Sequence, residues 1–301
     1  HLTAIAEACL THGINLAWHQ MVSRFGYPEG ASDENKRFGV IGYGKLGGFE
    51  LGYGSDLDIV FVHECDSMAP TAGPKPIDSR QFYLKLAQRI MHLFTTRTLS
   101  GELYEIDTRL RPSGLSGLLA IHIETFEDYQ ETEAWTWEHQ ALVRSRLVAG
   151  DTTLAARFDE IKGKILARRR DSQSLRDDIV QMRQKMHDNL SKEREEQFDL
   201  KQSRGGIADI EFIGQYLVLA HSHRYPELVT FPDNVRIFEQ ALKLGLLSHG
   251  DAESLINTYL LYRAYYHKAS LNHDEKLVPV QQVAASRNKV LELWQRYLSE
   301  N

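Results

Sequence analysis

Cysteine, long apolar runs and positive charge are all scarce in this sequence. The 301 residues contain two cysteines, Cys9 and Cys65, too few for a disulfide framework and without metal-type spacing, so a reducing cytoplasm is expected. No apolar run approaches the ~18 residues of a membrane-spanning helix, and no membrane association is expected. Acidic residues outnumber basic ones by 41 to 35, giving a net charge of −6, which argues against a general nucleic-acid binder.

The composition that remains is typical of a soluble globular protein, with 42% hydrophobic and 25% charged residues. A chain of 301 residues is long enough for two domains of ordinary size. The first residue is His1, and "HLTAIAEACL" already has the spacing of a helix interior. We therefore expect the chain to be a piece of a longer protein.

The hydrophobic pattern changes character near residue 150. Before that point it predicts a helix over 2–25, a helix capped by Ser79 and running to about Thr98, and strands within "FGVIGYG", "DLDIVFVHE", "GELYEIDTRLRP" and "SGLLAIHI". After Glu124 only helices are expected, over 124–148, 152–168, 172–195, 207–223, 233–245, 249–271 and 280–300. We predict an α+β fold, with a domain built on a small mixed sheet over 1–150 and an all-helical domain over 151–301.

Residues 42–64, "GYGKLGGFELGYGSDLDIVFVHE", raise two competing interpretations. The glycines match the dinucleotide-binding pattern G-x-G-x-x-G after a strand, and Glu64 lies about where a ribose ligand would stand. However, only eight residues separate Gly47 from Asp56, and a parallel crossover needs at least ~10–12 residues that include a helix. Two carboxylates close to a pyrophosphate would also repel it. The dinucleotide interpretation is therefore disfavoured.

A metal site explains the same segment, residues 42–64. Asp56 and Asp58 are two residues apart on a strand and share one face, and two adjacent carboxylates repel unless a cation lies between them. Mg²⁺ prefers oxygen ligands and leaves positions for phosphates. Gly44-Lys45 and Gly54-Ser55 stand at turns that offer backbone N–H groups, an ammonium and a hydroxyl to phosphate oxygens.

The strand over 103–111 offers a third acid. Strict alternation places Leu103, Glu105, Asp107, Arg109 and Arg111 on one face. A two-metal phosphoryl-transfer site needs its third acid on a strand beside the first two, which pairing with the strand at 56–63 would provide. Asp107 is the preferred candidate, but alternation alone does not separate it from Glu105.

These features resemble the nucleotidyltransferase superfamily of DNA polymerase beta, in which a Gly-Ser turn precedes an acid–apolar–acid strand and a third acid on a later strand. Asp56, Asp58 and Asp107 match the three acids. Lys45 replaces the usual serine of the turn, so Ser55 is a further candidate for phosphate contact.

Four longer segments narrow the resemblance: "GYGKLGGFELGYGSDLDIVF", "LYEIDTRLRPSGLSG", "EAWTWEHQALVRSRLVAGD" and "GGIADIEFIGQYLVL". Together they look like the glutamine synthetase adenylyltransferase and adenylyl-removing family, whose members contain two such units in tandem. The residues of these segments resemble those of the C-terminal, adenylylating unit.

The resemblance implies transfer of AMP from ATP to a tyrosine of glutamine synthetase with two Mg²⁺ ions, as part of the regulation of nitrogen metabolism. It also implies PII signal protein as a partner and glutamine as an effector. Two alternatives stay open: phosphorolytic removal of AMP from the adenylylated synthetase, and a non-catalytic module that binds PII.

The glycine turn "SRGGIADIEF" also allows two interpretations. Asp209 and Glu211 at the start of the following helix would be favoured simply by the helix dipole. Alternatively, the turn closes over the nucleotide.

Overall fold

The computed structural model describes residues 1–65, 68–99 and 101–299. Its α-helices are α1 (Leu2–Phe25), α2 (Gly44–Gly47), α3 (Ser79–Thr95), α4 (Ile123–Thr132), α5 (Thr136–Val143), α6 (Thr152–Leu166), α7 (Ser172–Leu190), α8 (Ile207–His221), α9 (Asn234–Lys243), α10 (His249–Leu271) and α11 (Val280–Trp294). Its strands are β1 (Phe38–Gly42), β2 (Leu57–His63), β3 (Ile106–Asp107), β4 (Ala120–His122), β5 (Arg146–Gly150), β6 (Gln197–Asp199) and β7 (Leu277–Pro279). Within these residues no helix combines the length and apolar character that crossing a bilayer requires.

The chain forms two units. One contains His1–Ala134 and Arg144–Ile165, and the other contains Trp135–Val143 and Leu166–Asn301. The first holds a mixed sheet and the second is mostly helical, which confirms the predicted fold class.

The sheet of the first unit has the strand order β3-β2-β1-β5, and β4 also pairs with β2. β1 runs antiparallel to both β2 and β5, whereas β3 and β4 run parallel to β2. Both short strands lie along one edge of β2, with β3 at its beginning and β4 at its end. The predicted pairing between the third strand and the strand at 56–63 is present, and it places Asp58 beside Asp107.

Helices α1 and α3 bury their apolar stripes in the core of this unit. The α1 helix has the predicted bounds and contributes fully buried residues such as Leu10 and Trp18. The β1 and β2 strands are buried along most of their length, as their continuous apolar runs indicate. Asp58 is therefore held near the start of β2 by a well-packed sheet, whereas Asp56, which was predicted to lie on the same strand, comes just before β2 begins at Leu57.

The second unit is organised around α8, which is buried on almost every side from Ile207 to Leu219. Near its start, Asp209 forms an ion pair with Arg183 of α7, and both side chains are no more than 1% exposed. Arg183 also donates to the carbonyl oxygen of Gln202 at 2.9 Å. Asp209 additionally accepts a hydrogen bond from the Gly205 N–H at 2.6 Å. Asp209 is thus a structural buried charge that holds the glycine turn, and its position follows from this ion pair as well as from the helix N-terminus.

Strand predictions were wrong in two places. The expected nine-residue alternation over 103–111 reduces to the two-residue strand β3, after which the chain enters turns. The expectation of only helices after Glu124 was also wrong, because β5 interrupts the predicted helix 124–148, and β6 pairs with β7 in the second unit. β5 exists because its backbone pairs with β1, and no local pattern records that partner.

Helix ends also differ from the predictions. The cap of α3 is Asp78, whose Oδ1 accepts from the N–H groups of Arg80 and Gln81, while Ser79 is the first helical residue and donates to the Ala69 carbonyl. The helix ends at Thr95 rather than Thr98. The last predicted helix divides into α11 and a π-helical turn over Gln295–Ser299, and residue 300 lies outside the described residues.

Candidate active site

The glycine turn between β1 and β2 lies directly against an acidic side chain. Gly44 has φ +55°, a left-handed conformation that glycine adopts without steric cost. A Cβ atom at Gly44 would lie 3.1 Å from the Oδ2 atom of Asp58. The Tyr43 N–H donates to the Asp58 carbonyl oxygen at 2.9 Å, which fixes the turn to β2. Glycine at position 44 therefore keeps space open beside a carboxylate.

Three carboxylates converge where β2 begins. Asp56, Asp58 and Asp107 each offer an oxygen that lies within 4.8 Å of the others. Asp58 and Asp107 are direct neighbours in the parallel pairing of β2 with β3, and the Leu57 N–H donates to the Glu105 carbonyl oxygen at 2.9 Å. Glu105 itself is exposed, and it does not belong to the acidic group found among residues 1–65, 68–99 and 101–299.

Arg109 controls the charge of the third acid. Its backbone N–H and its Nε donate to the Asp107 carboxylate at 2.8 and 2.7 Å, and its Nη2 forms an ion pair with the same group. These hydrogen bonds and the guanidinium charge lower the pKa of Asp107 and keep it ionised. In turn, Asp107, with Asp58 and Asp56 further away, raises the pKa of Arg109. The Arg109 side chain is 71% exposed, so it can move away from the carboxylate without disturbing the core.

Arg111 has a different role from the one that alternation predicted. It does not share a face with Asp107, because the chain turns after β3 and the Arg111 N–H donates to the Thr108 carbonyl oxygen at 3.3 Å. Its guanidinium is buried and donates to the carbonyl oxygens of Thr108, Leu115 and Gly117. Burial lowers the pKa of Arg111. This arginine holds the loop that follows the third acid.

Lys45 and Ser55 connect the two glycine turns that precede β2. The Nζ atom of Lys45 donates to the Oγ atom of Ser55 at 3.4 Å, and the Gly52 N–H donates to the same oxygen at 3.2 Å. Gly54, with φ +63°, has open space where a Cβ would stand. The structure thus links the two turns that hold the predicted phosphate-binding residues Gly44, Lys45, Gly54 and Ser55 through the hydrogen bond between Lys45 and Ser55.

Two arginines that sequence reasoning did not assign to the site support the glycine turn and the residues after it, Arg146 at the start of β5 and Arg144 two residues earlier. Arg146 donates through Nε to the Gly47 carbonyl oxygen at 3.0 Å and through Nη2 to that of Leu46 at 3.3 Å. Its guanidinium lies 3.8 Å from the ring centroid of Phe49 and forms an ion pair with Glu7. The carbonyl end of α2 is therefore held by a cation, as the helix dipole favours.

Arg144 and Lys162 extend this support. Arg144 forms a buried ion pair with Glu50, whose side chain is 10% exposed. Lys162 on α6 donates to the Ser145 carbonyl oxygen at 2.6 Å, and burial lowers its pKa to about 8. The segment "ALVRSR" signalled these contacts only through its two arginines, because their targets lie about 100 residues earlier in the chain.

Comparison with known proteins decides the family. The family model for glutamate-ammonia ligase adenylyltransferase matches residues 1–161. The chain belongs to this family. A second model, for GlnD PII-uridylyltransferase, matches residues 173–276.

Relatives of this family resemble the chain over its whole length. A bifunctional glutamine synthetase adenylyltransferase/adenylyl-removing enzyme from Shewanella frigidimarina is 53% identical over 99% of this chain, and the matched region is 32% of that protein. Relatives with the same description from Idiomarina loihiensis and Mannheimia haemolytica are 48% and 49% identical, over 100% and 99% of this chain and 32% and 31% of their own lengths. The chain spans about a third of the length of the curated relatives it matches.

Proposed function

We propose that this chain transfers AMP from ATP to a tyrosine hydroxyl of glutamine synthetase. In that reaction the phenol oxygen bonds to the α-phosphorus, the bond to pyrophosphate breaks, and the phenol proton is released. The observation that carries the proposal is the group formed by Asp56, Asp58 and Asp107, whose oxygens lie within 4.8 Å of one another beside a glycine turn.

The donor set fits a hard divalent cation. All three groups are carboxylates, the ligand type that Mg²⁺ prefers, and two such ions are the expected complement of a phosphoryl-transfer site. The lowered pKa of Asp107 keeps that carboxylate ionised, while Arg109 occupies its Oδ2 atom. A metal ion bound to Asp107 would therefore compete with Arg109, which can move because it is exposed. When bound, Mg²⁺ would neutralise charge on the phosphates and lower the pKa of a coordinated phenol.

The two glycine turns that precede Asp58 would bind the phosphates. Gly44 and Gly54 are both in left-handed conformations at these turns, and Lys45 with Ser55 adds an ammonium and a hydroxyl. Such groups bind phosphate oxygens without needing any particular base or protein substrate. Positioning and charge neutralisation would supply most of the rate.

The phenol proton is the remaining requirement, because a free tyrosine has a pKa of ~10. Asp107 accepts three hydrogen bonds from Arg109, which weakens it as a base. We therefore assign Asp107 to metal binding and give it no role as the main proton acceptor.

The residues of three motifs favour transfer over removal, because "GYGKLGG", "LGYGSD" and "WTWEHQALVR" resemble the corresponding segments of the adenylylating unit. The relatives are described as carrying both activities, and both reactions would use the same acids. The direction is tested by offering the chain two substrates, unmodified glutamine synthetase with ATP and the adenylylated form with inorganic phosphate. We expect AMP-tyrosine in the first reaction and negligible ADP in the second. ADP from the second alone would assign the chain to removal.

A matched pair of variants tests the metal site. Asp58→Asn should lower AMP transfer by at least ~10²-fold, because electrostatic groups at such sites contribute about 3 kcal/mol or more. Asp128→Asn removes the same charge from the exposed face of α4 and should leave transfer unchanged. Equal turnover of the two variants with Mg²⁺ would show that the acidic group does not hold the catalytic metal.

We further propose the division of labour between the two parts of the chain. Residues 1–150 would form the catalytic domain, and residues 151–301 would bind PII signal protein, with glutamine as effector, in the cytoplasm. The PII-uridylyltransferase match over 173–276 supports a regulatory role for the second part. Binding of purified PII to the whole chain, measured by calorimetry with and without glutamine, tests this assignment, and no heat in either condition would contradict it.

A further inference from the structure

The short helix α2 rests on the backbone of residues 144–146, which we call the α2 seat. A Cβ atom at Gly47 would lie 2.3 Å from the Arg144 carbonyl oxygen and 3.0 Å from the Ser145 Cα atom, so the two backbones touch and only glycine fits. The Arg146 Nε atom donates to the Gly47 carbonyl oxygen at 3.0 Å. The last residue of α2 therefore contacts all three residues of the α2 seat.

The opposite end of α2 holds the proposed phosphate-binding residues. The helix spans only Gly44–Gly47, and the Gly48 N–H donates to the Gly44 carbonyl oxygen at 2.9 Å, which links its two ends. A Cβ atom at Gly44 would lie 3.1 Å from the Asp58 Oδ2 atom. Because a single turn of helix connects the two ends, a shift of the α2 seat would move Gly44 and Lys45 relative to the acidic group.

Lys162 of α6 holds the middle of the α2 seat. Its Nζ atom donates to the Ser145 carbonyl oxygen at 2.6 Å. Ser145 is fully buried and Lys162 is 5% exposed, so the hydrogen bond is shielded from water. A methionine would fill similar space without the cost of removing a charge from water. The hydrogen bond to the α2 seat is therefore what a lysine adds at this position.

We propose that Lys162 is a positioning residue for ATP binding, because it holds the Ser145 carbonyl oxygen and thereby keeps α2 and Lys45 where they contact the phosphates. This inference rests on the proposed adenylyl transfer, in which the glycine turn binds ATP. In this role Lys162 touches neither the nucleotide nor a metal ion. Its effect is therefore expected in the affinity for ATP and not in the affinity for glutamine synthetase.

The charge of Lys162 makes this positioning depend on pH. Burial lowers the pKa of Lys162 to about 8, while Asp159 on the same helix raises it and Arg146 of β5 lowers it. The other charged groups at the α2 seat are Glu7 and Glu50, which pair with its two arginines. A neutral amine donates a weaker hydrogen bond than an ammonium. The affinity for ATP should therefore fall as the pH rises through about 8.

Calorimetry on the whole chain with Mg²⁺ and ATP tests the effect on the nucleotide. Lys162→Met should raise the dissociation constant of ATP by about tenfold at neutral pH, because a charge-assisted hydrogen bond is lost. Lys162→Arg keeps the charge at alkaline pH and should remove the pH dependence that the wild-type chain shows. Lys164→Met is the matched control, because this lysine of the same helix is 57% exposed and pairs with Glu127 and Glu131. It should behave like the wild type.

Hydrogen exchange of backbone amides provides a second measurement that needs no nucleotide. The N–H groups of Gly47 and Gly48 donate to the carbonyl oxygens of Tyr43 and Gly44 at 3.0 and 2.9 Å. In Lys162→Met these two amides should exchange about tenfold faster, because α2 has lost part of its support. The amides of α3 should exchange at the wild-type rate, whereas a general loss of stability would accelerate exchange in both helices.

Weaker ATP binding in Lys162→Met, together with faster exchange confined to α2, supports the proposal. Unchanged exchange at α2 overturns it whether or not the chain binds ATP, and so does an unchanged affinity for ATP. If the wild-type chain binds no ATP while α2 still responds to Lys162→Met, the proposed adenylyl transfer is contradicted and Lys162 remains the residue that holds α2 in place.

Discussion

Replacing Gly44 by alanine tests whether the space beside Asp58 serves the reaction. The new methyl group would lie 3.1 Å from the Asp58 Oδ2 atom, and an ordinary contact begins at 3.4 Å, so the carboxylate must move by a few tenths of an ångström. Alanine would also be held at φ +55°, which costs about 1–2 kcal/mol for a residue with a Cβ.

The effect on activity follows from the movement of the carboxylate. A misplacement of about 1 Å at a reacting centre can lower the rate by roughly 10²-fold, so a shift of a third of that size predicts a loss of about fourfold to tenfold. Mg²⁺ demands near-ideal octahedral geometry, and we therefore expect a higher Mg²⁺ requirement as well.

Gly30→Ala is the matched control. Gly30 also has a left-handed φ, +72°, and a Cβ there would also lie 3.1 Å from a neighbouring atom, the Arg37 Nη1. That neighbour is the end of a flexible side chain outside the acidic group. Both variants should lower the melting temperature by similar amounts, measured by differential scanning calorimetry, but only Gly44→Ala should lower AMP transfer at saturating ATP. Full activity in Gly44→Ala, with Gly30→Ala equally destabilised, would refute the reasoning.

Three further outcomes are expected. Asp107→Asn should abolish AMP transfer while Glu105→Gln is tolerated, and the reverse pattern in the same assay would reassign the third acid. Lys45→Ala should raise the Michaelis constant for ATP and weaken ATP binding by calorimetry, whereas unchanged affinity would make this lysine a surface charge. Stability should rise with pH from about 8, where burial has lowered the pKa of Lys162, to the ordinary value near 10.5, because the unfolded chain holds the proton that the folded chain has lost. The slope is at most roughly 1.4 kcal/mol per pH unit, and denaturation of Lys162→Met across this range should show it reduced; an identical slope would place the titration elsewhere.

Arg109 affects both the charge of Asp107 and the proposed binding of a metal ion there. The guanidinium that lowers the pKa of Asp107 also occupies the oxygen that a metal ion would use. Competition between an exposed arginine and a divalent ion would make Mg²⁺ binding weaker at the third acid than at Asp56 and Asp58. Metal titrations of the three acid variants would measure this difference directly.

The local sequence was sufficient to predict those helices and strands whose own residues show a clear hydrophobic pattern. The continuous apolar runs predicted β1 and β2, the 3.6-residue spacing predicted α1 and α3, and the two-residue spacing predicted that Asp56 and Asp58 share a face. The parallel neighbour on the third strand was also inferred, and the structure places Asp107 beside Asp58. The helix and strand predictions succeeded because each depends on residues that are close together in the chain, whereas the pairing of distant Asp58 and Asp107 was inferred from the need of a two-metal site for a third acid on a neighbouring strand.

Tertiary structure alone decided the features that depend on distant partners. The five residues of β5 form a strand because they pair with β1, about 100 residues earlier, and the three-residue strands β6 and β7 exist only as each other's partners. Arg111 turns into its own loop because buried carbonyl oxygens there need donors. Arg146 reaches the end of α2 for the same reason. Hydrogen-bonding groups must be satisfied wherever the fold buries them, and the sequence does not state which distant residue will do so.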